Sequence, residues 1–301
     1  MKRPMRRHHL SLPLLLLVLV GMAWPTTLLA AEKTVIFVTV APQAFLVKRL
    51  GGAAVEVHTL IGKGQDPHTY EPTPRQAAAL AGAHLFFTVD LPFERRLVEK
   101  VRAGNQALRV VDTTSGITRI AMEEEHHAAQ AQTNTLPPHE ESDPHVWMAP
   151  ANLRRMAATV ATALGEAMPA ERSSIQHNLA ILDRELLSLD QQLTTQLAPH
   201  RGKTFYVFHP AFGYFAGTYG LHQKAVETGG KAPSPRQLSE LIRRAREDGV
   251  RVIFVQPQFD AKSATTVANG IDGRVVAIDS LAENVLENLA LVAGAIAHSM
   301  R

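Results

Sequence analysis

Between Pro169 and His200 the chain carries Ile175, Leu179, Leu182, Leu186, Leu189 and Leu193 at alternating spacings of four and three, the repeat of one amphipathic helix with a single apolar stripe. At 1.5 Å per residue, the stretch from Glu171 to Ala198 would run roughly 40 Å, longer than most helices inside one small domain. Such a segment separates an N-terminal part of the chain from a C-terminal part, and a rigid connector between two lobes is the expected arrangement.

Both flanks of that helix read alike. Thr34 to Val40, Val55 to Ile61, His84 to Val89 and Leu108 to Val111 are β-rich apolar runs, with amphipathic segments such as Arg75 to Leu80 between them, and a helix from Asn152 to Ala167 leads into Pro169. Beyond Gly202 the alternation restarts, with strands at Thr204 to Phe208, Val252 to Val255 and Val275 to Ile278, helices at Ser234 to Asp248 and Lys262 to Asn269, and a last helix from Leu281. Strand and helix in alternation imply βαβ units and parallel sheets. The expected fold is therefore α/β: two (βα)4-like lobes with parallel-rich sheets, residues 32–168 and 201–301, joined by the helix of residues 169–200.

The 301 residues suffice for two domains of ordinary size, and 46% hydrophobic with 20% charged residues is globular composition. Lys2, Arg3, Arg6 and Arg7 carry part of the net charge of +3, so nucleic-acid binding gains little support. These basic residues precede an apolar run from Leu10 to Trp24, with small residues at Ala30 and Ala31, the order of a secretory signal peptide over residues 1–31. An uncleaved N-terminal anchor is the competing reading, because Leu28 or Leu29 suits the cleavage site less well than alanine does. The chain has no cysteine, and so neither a disulfide nor a lipid-modified cysteine, which favours a soluble periplasmic protein over a surface lipoprotein.

From residue 123 to 143 the apolar pattern stops, and Glu, His, Gln, Asn, Thr and Pro137-Pro138 take over, the composition of an acidic, histidine-bearing surface loop. With 14 histidines in the chain, one alone means little. Three stand where a strand has just ended, the place at which open α/β sheets hold ligands. His68 follows the second strand in Gln65-Asp66-Pro67-His68-Thr69, His145 repeats the tripeptide in Asp143-Pro144-His145-Val146-Trp147, and His209 follows an apolar strand in Phe208-His209-Pro210. Proline stiffens each of these turns, so the imidazoles need not be ordered by a ligand. Asp279 ends the strand Val275 to Ile278 in the same manner, and helix capping is the ordinary alternative for it.

With these residues, and with Glu71-Pro72-Thr73-Pro74, Gly230-Lys231-Ala232-Pro233-Ser234-Pro235 and Phe254-Val255-Gln256-Pro257-Gln258-Phe259, the chain resembles the substrate-binding proteins of zinc and manganese ABC transporters, specifically the zinc-binding branch. The likeness runs over nearly the whole chain after residue 31. It implies that His68 and His145 from the first lobe meet His209 and Asp279 from the second in the cleft, and that His126, His127 and His139 belong to a shortened form of the family's histidine-rich loop, an auxiliary metal-collecting segment. It also implies a periplasmic protein, not an enzyme, that carries Zn²⁺ as its transported ligand to an inner-membrane ABC transporter permease. We expect a monomer.

Three imidazoles and a carboxylate suit tetrahedral Zn²⁺, whereas Mn²⁺ prefers more oxygen ligands. A manganese or iron carrier of the same fold is the alternative within the family. A periplasmic zinc hydrolase is the alternative outside it, opposed by Asp279 in the fourth position and by the absence of HExxH, Ser-His-Asp spacing or a glycine-rich phosphate loop.

Overall fold

The computed structural model describes residues 32–122, 142–227 and 233–300; the expected signal peptide and the residues His126, His127 and His139 lie outside the described residues. Two four-stranded sheets organise the molecule. The first contains β1 (Thr34–Val38), β2 (Val55–Thr59), β3 (Leu85–Thr88) and β4 (Arg109–Asp112) in the order β2-β1-β3-β4. The second contains β5 (Thr204–Val207), β6 (His222–Ala225), β7 (Val252–Val255) and β8 (Arg274–Ala277) in the order β6-β5-β7-β8. Every pairing in both is parallel. The two halves thus share one strand permutation, with the order reversing beside β1 and beside β5, where the loops after the strands part and leave a crevice.

The inner strands read as unbroken apolar runs because both faces are covered: all four residues of β3 and all four of β7 are buried. Strand β6 is not foreseen from the sequence, since His-Gln-Lys-Ala carries no apolar run. It is an edge strand, and its pairing from Thr204↔His222 to Val207↔Ala225 makes it one.

Helices α1 (Ala41–Gly51), α2 (Pro74–Leu80), α3 (Pro92–Arg102) and α4 (Pro150–Ala167) belong to the first half; α6 (Gly213–Tyr219), α7 (Pro235–Glu247), α8 (Lys262–Gly270) and α9 (Val285–Ser299) belong to the second. Helices α2 and α7 start alike: Thr73-Pro74-Arg75-Gln76 and Ser234-Pro235-Arg236-Gln237 each form a capping box, hydroxyl to N3 amide and glutamine back to the cap. The last helix begins at Val285 and not at Leu281, because Asn284 caps it by accepting the Glu287 N–H.

The long helix α5 (Arg172–Leu197) has 26 residues, about 39 Å. Ile175, Leu182, Leu186, Leu189, Leu193 and Leu197 are its buried stripe. It packs on α1 and α4 of the first half and on α6 and α9 of the second. One hydrophobic core runs from β1 and β3 through α4 and α5 to Phe205, Val207 and Phe254 of the second sheet. The opposite face of that sheet, Tyr206, Ile253 and Val255, forms a separate core with α7 and α8. Helix α5 is therefore a shared spine as well as a link, and residues 32–301 make one compact unit whose halves part at the loop ends of the sheets. Among the described residues no helix is long and apolar enough to cross a membrane.

Candidate metal centre

The repeated Asp-Pro-His tripeptide makes the same turn twice. In the β2–α2 loop Asp66 Oδ1 accepts the His68 N–H at 2.9 Å, and before α4 Asp143 Oδ1 accepts the His145 N–H at 2.8 Å. Each carboxylate thus caps the amide two residues on, with proline holding the intervening backbone. The carboxylates differ in their other partners: Asp66 Oδ2 accepts from Thr69, whereas Asp143 Oδ1 also takes the His145 Nδ1 at 2.7 Å. His209 follows β5 and is clamped through its backbone, its N–H donating to Gln256 Oε1 at 3.2 Å and its carbonyl accepting from Gln256 Nε2 at 2.6 Å. Its Nδ1 lies 2.6 Å from Glu227 Oε1, and Phe259 stacks on its ring at 4.7 Å.

These three imidazoles converge. The Nε2 atoms of His68 and His209 are 3.1 Å apart, and those of His209 and His145 are 3.4 Å apart. For Zn–N bonds of about 2.05 Å, the edge of a tetrahedron is about 3.3 Å, and both of these spacings match such an edge around one ion. Among the described residues, His68, His145 and His209 are the set of at least three metal-ligating side chains whose donor atoms lie within 4.8 Å of one another. His145 and His209 are buried, at 2% and 4% exposure, while His68 is exposed.

Asp279 is not brought into that set. Its Oδ1 accepts the Leu281 N–H at 2.8 Å and the Gln258 side-chain amide at 3.0 Å, and it lines a cavity of about 410 Å³ together with Thr59 and Lys63 of the first half. It makes a local turn and does not cap the last helix. Trp147, whose ring edge meets His145, donates its indole N–H to the carbonyl of Ser280 at 2.6 Å, tying the His145 turn to the segment beside Asp279. Glu227, Gln256 and Phe259 are not singled out as site residues by the sequence: Gln256 and Phe259 lie within the Phe254–Phe259 segment that carries the resemblance, and Glu227 follows β6, a strand that the sequence does not disclose.

Burial, and then the neighbouring imidazoles of His145 and His209, lower the His68 pKa to about 2; the residue is exposed as a whole, but its Nε2 edge faces the other two rings. Burial lowers His145 as well, against the opposing pull of Asp143. Only neutral imidazole coordinates a metal, so a depressed pKa preserves ligand capacity to lower pH. Three ordinary imidazoles with pKa about 6.5 would lose about 10⁴-fold in affinity between pH 7 and pH 5; with His68 and His145 lowered, the expected fall is smaller than that. Chelator competition at a series of pH values measures it, and a loss near 10⁴-fold would contradict the lowered values.

Several proteins similar to this chain carry zinc-uptake names. A solved structure of ZnuA is 36% identical, covers 90% of this chain and all of its own, and superposes with a TM-score of 0.81. A zinc-bound ZnuA deletion mutant is 35% identical over 89% of this chain and 98% of its own, with a TM-score of 0.79. The high-affinity zinc uptake system protein ZnuA of Yersinia pestis is 24% identical over 265 residues, 82% of this chain and 83% of its own. The family model described as zinc-uptake complex component A, periplasmic, matches residues 36–290. This family transports its ligand and does not catalyse a reaction. The chain belongs to the ZnuA family of periplasmic zinc-uptake components.

Proposed function

We propose that this protein captures one Zn²⁺ in the periplasm with His68, His145 and His209, and delivers it to an inner-membrane ABC permease. The observation that carries this reading is the convergence of three imidazoles, with the His209 Nε2 at about the edge length of a zinc tetrahedron from the Nε2 of each of the other two. Asp279 is the proposed fourth ligand; to reach the ion it exchanges its hydrogen bonds to Leu281 and Gln258 for the metal, and water is the substitute. Export of the chain by residues 1–31, the lobe boundaries at residues 168 and 201, and a monomeric state complete the proposal, with delivery supported by the family's role in uptake.

Nitrogen-rich tetrahedral coordination favours zinc over the oxygen-preferring Mn²⁺. Competitive titration should show Zn²⁺ outcompeting Mn²⁺ by about two orders of magnitude or more, as the affinity order of divalent metals and ligand softness require. Equal or better binding of Mn²⁺ would transfer the protein to manganese uptake. Tight Cu²⁺ binding in vitro would not, since copper outranks zinc at most nitrogen sites.

A further inference from the structure

Behind each of the two buried histidines stands a buried carboxylate from the same half of the molecule. Asp143, 1% exposed, lies against His145 Nδ1 at 2.7 Å, and Glu227, 6% exposed, lies against His209 Nδ1 at 2.6 Å. Glu227 is placed by the second sheet, its N–H donating to the Phe208 carbonyl at 3.1 Å just past the β5–β6 pairing. Asp143 is placed by the contact between the halves. The Tyr214 hydroxyl donates to its carbonyl at 3.1 Å, and a Cβ at Gly213 would come within 2.7 Å of its Oδ2. Gly213 has an ordinary backbone conformation, so space for this carboxylate is what a side chain there would remove.

A neutral imidazole has one N–H to place on either nitrogen, and only the bare nitrogen can bind a metal. An ionised carboxylate accepts and cannot donate, so it draws the N–H to Nδ1. We propose that Glu227 and Asp143 are positioning residues that lock His209 and His145 in the Nδ1–H tautomer, so that both Nε2 lone pairs already face the ion. This inference rests on the zinc-capture reading above. Among the described residues His68 has no such partner, its Asp66 accepting instead from the His68 backbone N–H and Thr69.

The test uses residues 32–301, the compact unit, as wild type, Glu227→Leu, Glu227→Gln, Asp143→Asn and Gly213→Ala. Zinc affinity is measured by chelator competition, and imidazole tautomers by long-range proton–nitrogen NMR of the zinc-free protein. Wild type should show Nδ1–H at His145 and His209. Glu227→Leu should release the His209 tautomer and weaken zinc about 10- to 100-fold, the usual effect of losing a partner behind a metal-bound histidine. Glu227→Gln, which keeps an acceptor oxygen, should recover part of that loss. Gly213→Ala should weaken zinc in the same sense as Asp143→Asn, without changing any charge. Should Glu227→Leu fail to fold, the Asp143 and Gly213 variants decide the matter. Wild-type zinc binding with Glu227→Leu, Asp143→Asn and Gly213→Ala all within about threefold, or an Nε2–H tautomer in wild type, would overturn the proposal. Failure of wild type to bind zinc would instead overturn the capture reading, and the tautomer spectra would stand apart from it.

Discussion

Replacing His209 by alanine should remove nearly all of the stabilisation that zinc confers. A ligand held at about 1,000 times its Kd stabilises the folded state by about 4 kcal/mol, because the unfolded chain lacks the assembled site. In a chain of this length each kcal/mol moves Tm by about 2–4 °C, so wild type should gain about 10 °C on adding zinc. His209 is the middle member of the set, within 3.1 Å of His68 and 3.4 Å of His145, and its loss removes both of those contacts. The substitution also leaves Glu227 buried without its imidazole, so the zinc-free variant should melt earlier too. The informative quantity is therefore the difference between zinc-bound and zinc-free melts of the same variant, expected to drop below about 2 °C under the same zinc excess. Asp279→Ala should keep more than half of the shift, since water serves as fourth ligand in three-histidine zinc sites. An undiminished zinc shift in His209→Ala would show that zinc binds elsewhere.

Leu186→Ala should do the reverse, costing stability and sparing the site. Leu186 is fully buried on α5, where that helix meets the rest of the shared core. Truncating a buried leucine costs about 3–5 kcal/mol through lost transfer energy and the cavity left behind. At about 2–4 °C per kcal/mol, Tm should fall by about 10 °C. Helix α5 contributes none of the three histidines, so zinc affinity of the variant should stay within about threefold of wild type at a temperature where it remains folded. The same continuous core limits hinge motion, and small-angle scattering should find zinc-free and zinc-bound forms with indistinguishable radii of gyration. A Tm drop of under about 2 °C would show that the core relaxes around this position far better than buried leucines usually permit.

The alternating strand and helix runs, the long leucine-spaced helix and the placing of His68 and His209 in loops after β2 and β5 are legible in the chain itself, because each depends on local rules of periodicity, proline stiffening and the position of loops after strands. The expected strand end before His145 is not found, since that residue stands well past β4 and just ahead of α4. The repeated Asp-Pro-His even discloses the capped turn that both copies form. Strand β6 is not legible, since its pairing with β5 and not its own residues makes it a strand. Nor is the start of the last helix, where Asn284 prevails as cap over the expected beginning at Leu281.

What tertiary structure alone decided is which side chains meet. His68 and His209 are 141 positions apart and come to 3.1 Å only because α5 and the shared core seat the two halves against each other. Within the second half, the β5–β6 and β7–β8 pairings place Glu227 behind His209 and Asp279 beside Gln258, outcomes of strand pairing that no spacing along the chain encodes. Local sequence restricts each backbone segment to a few conformations, but the convergence of donor atoms depends on the docking of surfaces distant in sequence, and that docking is set by the summed burial of many apolar residues and by no single motif.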